Sequence, residues 1–162
     1  MNSRPDMSSP SPAMGRLGGA SIFTIGLADA LLKAYALQHF PDERTAELQS
    51  VLSFALHRNP GIAFDIPIPL IIVLPITLVI AAVFARIVYT RWQTHSAQAL
   101  SALAAVIGAL GNAGDRLING FTTDYLILFR TSAINLSDVL ILLGIIGVIW
   151  YDKRIPSQTP KA

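Results

Sequence analysis

Two aspartates each stand three residues after an asparagine, at Asn112–Asp115 and at Asn135–Asp138. The first pair closes a run from Ser96 to Gly114 that has no charged residue, and Arg116 follows it directly. Ionisable groups at the edge of a hydrocarbon-length segment are costly, and they mark function. Two carboxyl groups within hydrogen-bond reach cannot both ionise, so they share a proton. One can then act as general base on a water while the other protonates or holds a carbonyl oxygen. On a helix, the three-residue spacing puts each asparagine on the face of its aspartate, where the amide orients the carboxylate. The plain alternative is that both pairs cap helix ends in the membrane interface. The same spacing written twice at the same depth favours the carboxylate pair Asp115 and Asp138.

The elements that must carry these groups are apolar. The chain has 162 residues, 52% of them hydrophobic and 14% charged, with a mean hydropathy of +0.54. That composition belongs to a membrane protein of one modest domain. A spanning helix needs about 20 apolar residues, and the runs Leu17–Leu37, Ile66–Ala85, Ser96–Gly114 and Ser132–Tyr151 are of that order. Pro67, Pro69 and Pro75 make the first half of the second run irregular or kinked. Residues 1–15 read as a disordered cytoplasmic tail, 16–152 as a four-helix membrane domain and 153–162 as a second cytoplasmic tail. Arg4, Arg16, Arg86, Arg91, Lys153, Arg154 and Lys161 fall on one side of such a bundle, which predicts N-in, C-in. In the outer loop, Thr45–Leu52 is expected to form a short amphipathic helix. Ser53–Phe64 is expected to be strand-like, interrupted by the turn sequence Asn59-Pro60-Gly61.

Other polar residues have more than one use. Asp29 and Lys33 lie one helical turn apart and can pair, either as part of a proton or ion path or as a structural contact between helices. Arg116 is a counter-charge to the carboxylates, a lipid-phosphate contact or an interfacial anchor. Asp124, in Gly120-Phe121-Thr122-Thr123-Asp124, is a third carboxylate of the site or a turn residue. The three histidines, His39, His57 and His95, are scattered and have no metal-binding spacing. Cysteine is absent, which excludes disulfides, thiolate metal sites and a cysteine nucleophile. The basic residues form no patch interleaved with aromatics, so nucleic acid is not an expected partner.

Taken together, the motifs resemble those of the lipoprotein signal peptidase family, the signal peptidase II type of bacterial intramembrane aspartic protease. Asp29 and Lys33 match the family's Asp-x-x-x-Lys. Asn59, Gly61, Ala63 and Phe64 match its Asn-x-Gly-x-Ala-Phe, and Gly111, Asn112, Asp115 and Arg116 its Gly-Asn-x-x-Asp-Arg. Gly120, Phe121 and Asp124 match the Gly-Phe-x-x-Asp that follows. The last motif, Phe-Asn-x-Ala-Asp, keeps Asn135 and Asp138 but has Ile134 for the aromatic and Ser137 for the alanine, departures that bear on pocket shape.

The resemblance implies an all-α membrane protein of four transmembrane helices, with a small extracytoplasmic β-cradle and a surface amphipathic helix. It implies a bacterial cytoplasmic (inner) membrane location, with the active site near the outer leaflet. The implied reaction is hydrolysis just before the diacylglyceryl-modified cysteine of a prolipoprotein, without cofactor or metal, by a monomer in contact with membrane lipids. Asp115 and Asp138 take the catalytic places. Asn112, Asn135 and Arg116 support the site, Asn59 faces substrate, and Asp124, Asp29 and Lys33 hold supporting or substrate-binding places. Two other readings remain: a non-catalytic relative that binds lipoprotein precursors, and a small proton or ion transporter subunit using Asp29, Lys33, Asp115 and Asp138.

Overall fold

The computed structural model describes residues 12–49, 51–61, 66 and 68–153, with side chains from Gly15 onward. Of the assigned tails, residues 1–11 and 154–162 lie outside the described residues, as do the loop residues Ala63 and Phe64. Four helices and three strands follow in the order α1 Pro12–His39, β1 Leu52–Asn59, α2 Leu70–Arg91, α3 Ser96–Asn119, β2 Thr122–Leu128, β3 Ser132–Ile134 and α4 Leu136–Asp152. The first three of these helices are long and apolar enough to cross a membrane. The fourth has 17 residues, a rise of about 26 Å at 1.5 Å per residue.

The amphipathic α3 is the axis of the bundle. It buries an alanine-rich stripe, including Ala99, Ala102, Ala105, Ala109 and Ala113, and α1, α2 and α4 each pack on it. Small residues let α4 come close: a Cβ on Gly144 would lie 2.6 Å from both the Ala105 nitrogen and the Ser101 oxygen. Association of helices in lipid depends on such close packing, because apolar burial alone gives no preference for protein over lipid. α1 and α2 expose most of their surface, as in Leu17, Leu31, Ile71 and Val79.

The strands form an antiparallel sheet in the order β1-β2-β3. Leu52 pairs with Leu128 and Asn59 with Thr122, with a bulge between Phe54 and His57. β3 pairs Leu126 with Ile134. Ala55, Thr123, Tyr125 and Ile127 are buried, so β2 ties the sheet to the bundle.

Several boundaries differ from the sequence expectation. Residues 45–49 and 51 are not helical, and β1 begins at Leu52, within the stretch expected to form the amphipathic helix. Eight residues are too few to sustain a helix alone, and local partners hold this loop in turns. The Arg44 nitrogen donates to Asp42 Oδ1 at 3.1 Å, the Gln49 nitrogen donates to Ser53 Oγ at 2.6 Å, and Asp42 bridges Leu56. α3 runs five residues past Gly114 and ends where Gly120 adopts φ +81°, a left-handed C-cap suited to glycine. α1 begins at Pro12, inside the assigned tail, because proline is well placed in a first helical turn. α2 begins at Leu70, after Pro69, and contains Pro75. Residues 132–134 are strand rather than helix.

The α3–α4 seam gives a direct test. Gly144→Val should destabilise the protein by about 1–3 kcal/mol through overpacking, read as a lower thermal midpoint in detergent. Gly114→Ala, where an added Cβ meets nothing within 4 Å, should leave the midpoint unchanged or slightly raised.

Candidate active site

The site begins with a lysine on α1 in an apolar bundle. Lys33, 4% exposed, places Nζ 2.9 Å from Asp29 Oδ2 and 3.7 Å from Asp115 Oδ2. It donates to Asn112 Oδ1 at 2.7 Å. A buried cation is tolerated only when paired and hydrogen-bonded, and these groups supply both.

Asp29 joins three elements. Its Oδ1 accepts from the Tyr125 hydroxyl at 2.8 Å and from the Leu136 nitrogen at 3.0 Å, and its Oδ2 accepts from Ser137 Oγ at 2.6 Å. The Leu136 nitrogen is one of the orphan donors of the first turn of α4, where a carboxylate is also favoured by the helix dipole. Ser137, expected to bear on pocket shape, is instead a buried partner of Asp29. Gly111 leaves the room for this, since a Cβ there would lie 2.5 Å from Ser137 Oγ.

The two Asn-x-x-Asp motifs are structurally different. Asn112 and Asp115 both lie on α3, but their side chains separate: Asn112 Nδ2 donates across to Asp138 Oδ1 at 2.8 Å. Asp115 Oδ1 accepts from Asn119 Nδ2 at 2.6 Å and Thr123 Oγ1 at 3.1 Å, while Oδ2 accepts from the Thr123 nitrogen at 2.6 Å. With Lys33 alongside, its acceptor positions are taken up in pinning β2 to α3. Asn135 is not helical; it is the N-cap of α4. Its Oδ1 accepts from the Asp138 nitrogen at 3.0 Å, and its own nitrogen donates to Asp138 Oδ2 at 3.1 Å. This is a reciprocal capping box with aspartate in the usual glutamate place.

Asn135 also links Asp138 to Asp124. Fully buried, it donates from Nδ2 to Asp124 Oδ1 at 2.6 Å. Asp124 Oδ2 accepts from Asn59 Nδ2 at 3.2 Å. Asn59 is fixed in turn by its Asx contact, Oδ1 accepting from the Gly61 nitrogen at 3.0 Å. Asp124 and Asp138 both line a cavity of about 780 Å³, with Asn59, Asn112 and Arg116. Asp115 is not among the lining residues. The lower wall is apolar, with Val73 and Ile80 from α2 and Ile141 and Ile145 from α4, and Ile134 lies at the sheet end.

Glu43, Arg44, Arg116 and Arg130 line the same cavity as these two carboxylates. Burial, and then the charge of Asp138, push the Asp124 carboxyl up from its ordinary 3.8 to about 7, against the opposing hydrogen bonds from Asn59 and Asn135 and the nearby His57. Arg116 donates from Nη2 to the Gly61 carbonyl at 2.8 Å, and its charge acts on Asp124, Asp138 and Asp115 in that order. His57 faces Asp124 across the β1–β2 ladder and holds Glu43 through Nδ1 at 2.5 Å.

Sequence reasoning missed Thr123, Tyr125 and His57. Thr123 and Tyr125 carried no signal in a lone strand. The capping box at Asn135 was available, since a capping residue three before an acidic residue and an apolar run marks a helix start.

Comparison with known proteins identifies the family of the chain. The family model for signal peptidase (SPase) II matches residues 21–152. The lipoprotein signal peptidase of Shewanella oneidensis is 28% identical over 154 residues, 85% of this chain and 86% of that protein. That of Shewanella baltica is 30% identical over 132 residues, 76% of this chain and 77% of the relative. A lipoprotein signal peptidase of Chlamydia trachomatis is 35% identical over 107 residues, 59% of this chain and 63% of the relative, so the chain spans less than two thirds of that protein's length. A bacterial membrane enzyme solved by the in meso method has the same fold, with a TM-score of 0.76 at 19% identity over 96% of this chain and 97% of that one. The family match runs from the body of α1 to the end of α4 and takes in every residue of the polar cluster; this chain belongs to the signal peptidase II family.

Proposed function

We propose that this protein is an intramembrane aspartic endopeptidase that removes signal peptides from diacylglyceryl-modified prolipoproteins, cutting before the lipidated cysteine. The observation that carries the reading is the pair of carboxylates, Asp124 and Asp138, that line one cavity and share Asn135. The sequence pairs Asp138 with Asp115. The cavity pairs it with Asp124, and we adopt Asp124 and Asp138 as the catalytic residues, with Asp115 as the residue that positions β2.

The chemistry follows from the two environments. Asp138 accepts from Asn112 and from the Asn135 nitrogen, which orients it as the general base. Asp124, held near neutrality by burial, suits the proton donor. Asp138 takes a proton from a water as its oxygen attacks the scissile carbonyl carbon, while Asp124 donates to the carbonyl oxygen. Collapse of the tetrahedral intermediate breaks the C–N bond as Asp138 passes the proton it took from water to the leaving amine and Asp124 recovers a proton from the gem-diol. The apolar wall from Val73 to Ile145 accepts the signal helix, and the lipid anchor fixes the height of the bond, so that orientation supplies much of the rate. In this reading the protein is a monomer in the bacterial cytoplasmic membrane, α4 is a fourth span, both termini face the cytoplasm, and the cavity opens near the outer leaflet.

The decisive assay is cleavage of a diacylglyceryl prolipoprotein by the purified protein in detergent. Asp124→Asn and Asp138→Asn should each lower the rate by at least about a thousandfold with little change in thermal midpoint, and the double variant should be scarcely worse than either alone. Asp115→Asn should lower the midpoint and keep measurable cleavage. An inert Asp115→Asn of normal stability beside an active Asp124→Asn would return the site to Asp115 and Asp138. A parent that never cuts would leave a precursor-binding relative.

Acid–base behaviour gives a further expectation. Because the folded protein raises Asp124 from 3.8 to about 7, it binds more protons than the unfolded chain between those values. Stability should therefore fall as pH rises through that window, and Asp124→Asn should flatten the dependence. Rates should also decline above about pH 7, as the donor loses its proton.

Topology is testable because the chain has no native cysteine. In intact cells, Thr45→Cys should react with a membrane-impermeant thiol reagent and Thr94→Cys should not; the reverse pattern would invert the protein.

A further inference from the structure

We propose that the end of the bundle remote from the sheet carries a binding site for an anionic glycerophospholipid whose head group bears a hydroxyl. α2 and α4 both pack on α3, and near their C-termini a cavity of about 450 Å³ opens between them. Arg86 and Arg91 line it from α2, Lys153 and Asp152 from the end of α4, and Gln98 from α3. The local charge is therefore three cations against one carboxylate. The dipoles of α2 and α4 favour positive charge at these ends, but they give the three cations no partner, and none of the three has an ion pair among the described residues.

The second observation is Gln98, 3% exposed. Its Nε2 reaches Asp152 Oδ1 at a long 3.4 Å, and its Oε1 is buried without a hydrogen-bond donor. An unmet buried acceptor carries a desolvation cost of about 1–3 kcal/mol, and a ligand hydroxyl that reaches Oε1 on binding would relieve it. The walls are apolar where Val83, Ile87 and Val148 line them. Phosphate for the cations, a hydroxyl for Gln98 and an acyl chain for the walls together describe a lipid such as phosphatidylglycerol. Basic pockets between helices at a membrane surface are suited to anionic head groups. The site lies outside the aspartate cavity and does not depend on the protease reading.

Native mass spectrometry of the intact protein in detergent, titrated with dioleoyl-phosphatidylglycerol and dioleoyl-phosphatidylcholine, tests the site. The parent should bind phosphatidylglycerol at least about tenfold more tightly. The triple variant Arg86→Gln, Arg91→Gln, Lys153→Gln should bind both alike, while Arg16→Gln, an exposed cation of α1, should keep the preference. Gln98→Leu should lose discrimination between phosphatidylglycerol and phosphatidic acid, which has no head-group hydroxyl. If the triple variant fails to fold, Lys153→Gln alone should weaken phosphatidylglycerol about fivefold. Equal affinity of the parent for the two lipids would overturn the proposal. So would a preference that the lysine substitution leaves undiminished, or glycerol 3-phosphate binding as tightly as the lipid.

Discussion

A single buried ammonium organises this molecule. Lys33 sits where neither water nor lipid can solvate it, and the residual penalty for burying such an ion is several kcal/mol. Asp29, Asn112 and Asp115 gather around it from α1 and α3. Each of them reaches on to another element: Asp29 to Tyr125 and the start of α4, Asn112 to Asp138, and Asp115 to Thr123 on β2. Removing the charge would strand two carboxylates in apolar surroundings, a more damaging change than the loss of one contact. Helices that gain little from apolar burial in lipid are joined here by polar contacts and by the close α3–α4 seam.

The same network divides labour among four carboxylates. Asp29 and Asp115 have their oxygens occupied by donors from neighbouring elements and act as fasteners. Asp124 and Asp138 are also oriented, by Asn59, Asn112 and Asn135, yet both border open space. Asn135 is the hinge of this arrangement because its amide serves Asp124 while its carbonyl oxygen and backbone nitrogen complete the cap with Asp138. A helix start, a strand and a cavity are thereby fixed by one fully buried side chain.

Much of this was legible in the sequence. The apolar runs gave the helices, the Asp29–Lys33 spacing gave the one-turn ion pair, and Asn-Pro-Gly gave the turn after β1. The doubled Asn-x-x-Asp is written alike in the sequence, but three-residue spacing has two structural meanings. Within α3 it places Asn112 and Asp115 one turn apart, whereas at Asn135 it joins an N-cap to the third residue of a helix. Spacing also cannot tell which carboxylates are saturated: Asp115 is, through Thr123, and that contact exists only once β2 has folded against α3. The expected surface helix failed for a related reason, since the Thr45 and Ala46 nitrogens donate to the Asp42 carbonyl, outside the segment, and the Gln49 nitrogen donates to Ser53 Oγ.

α2 and α4 help to line both the aspartate cavity at the sheet end and the cationic cavity at the other, so one helix arrangement presents two chemically distinct surfaces along its length. Asp124, beside Asp138, is the carboxyl that burial pushes up to about 7. Infrared difference spectroscopy between pH about 6 and about 8 observes that proton directly. The account predicts a protonated-carboxyl band that disappears as pH rises through about 7, is absent from Asp124→Asn and persists in Asp115→Asn. A band that survives Asp124→Asn and vanishes in Asp115→Asn would contradict it.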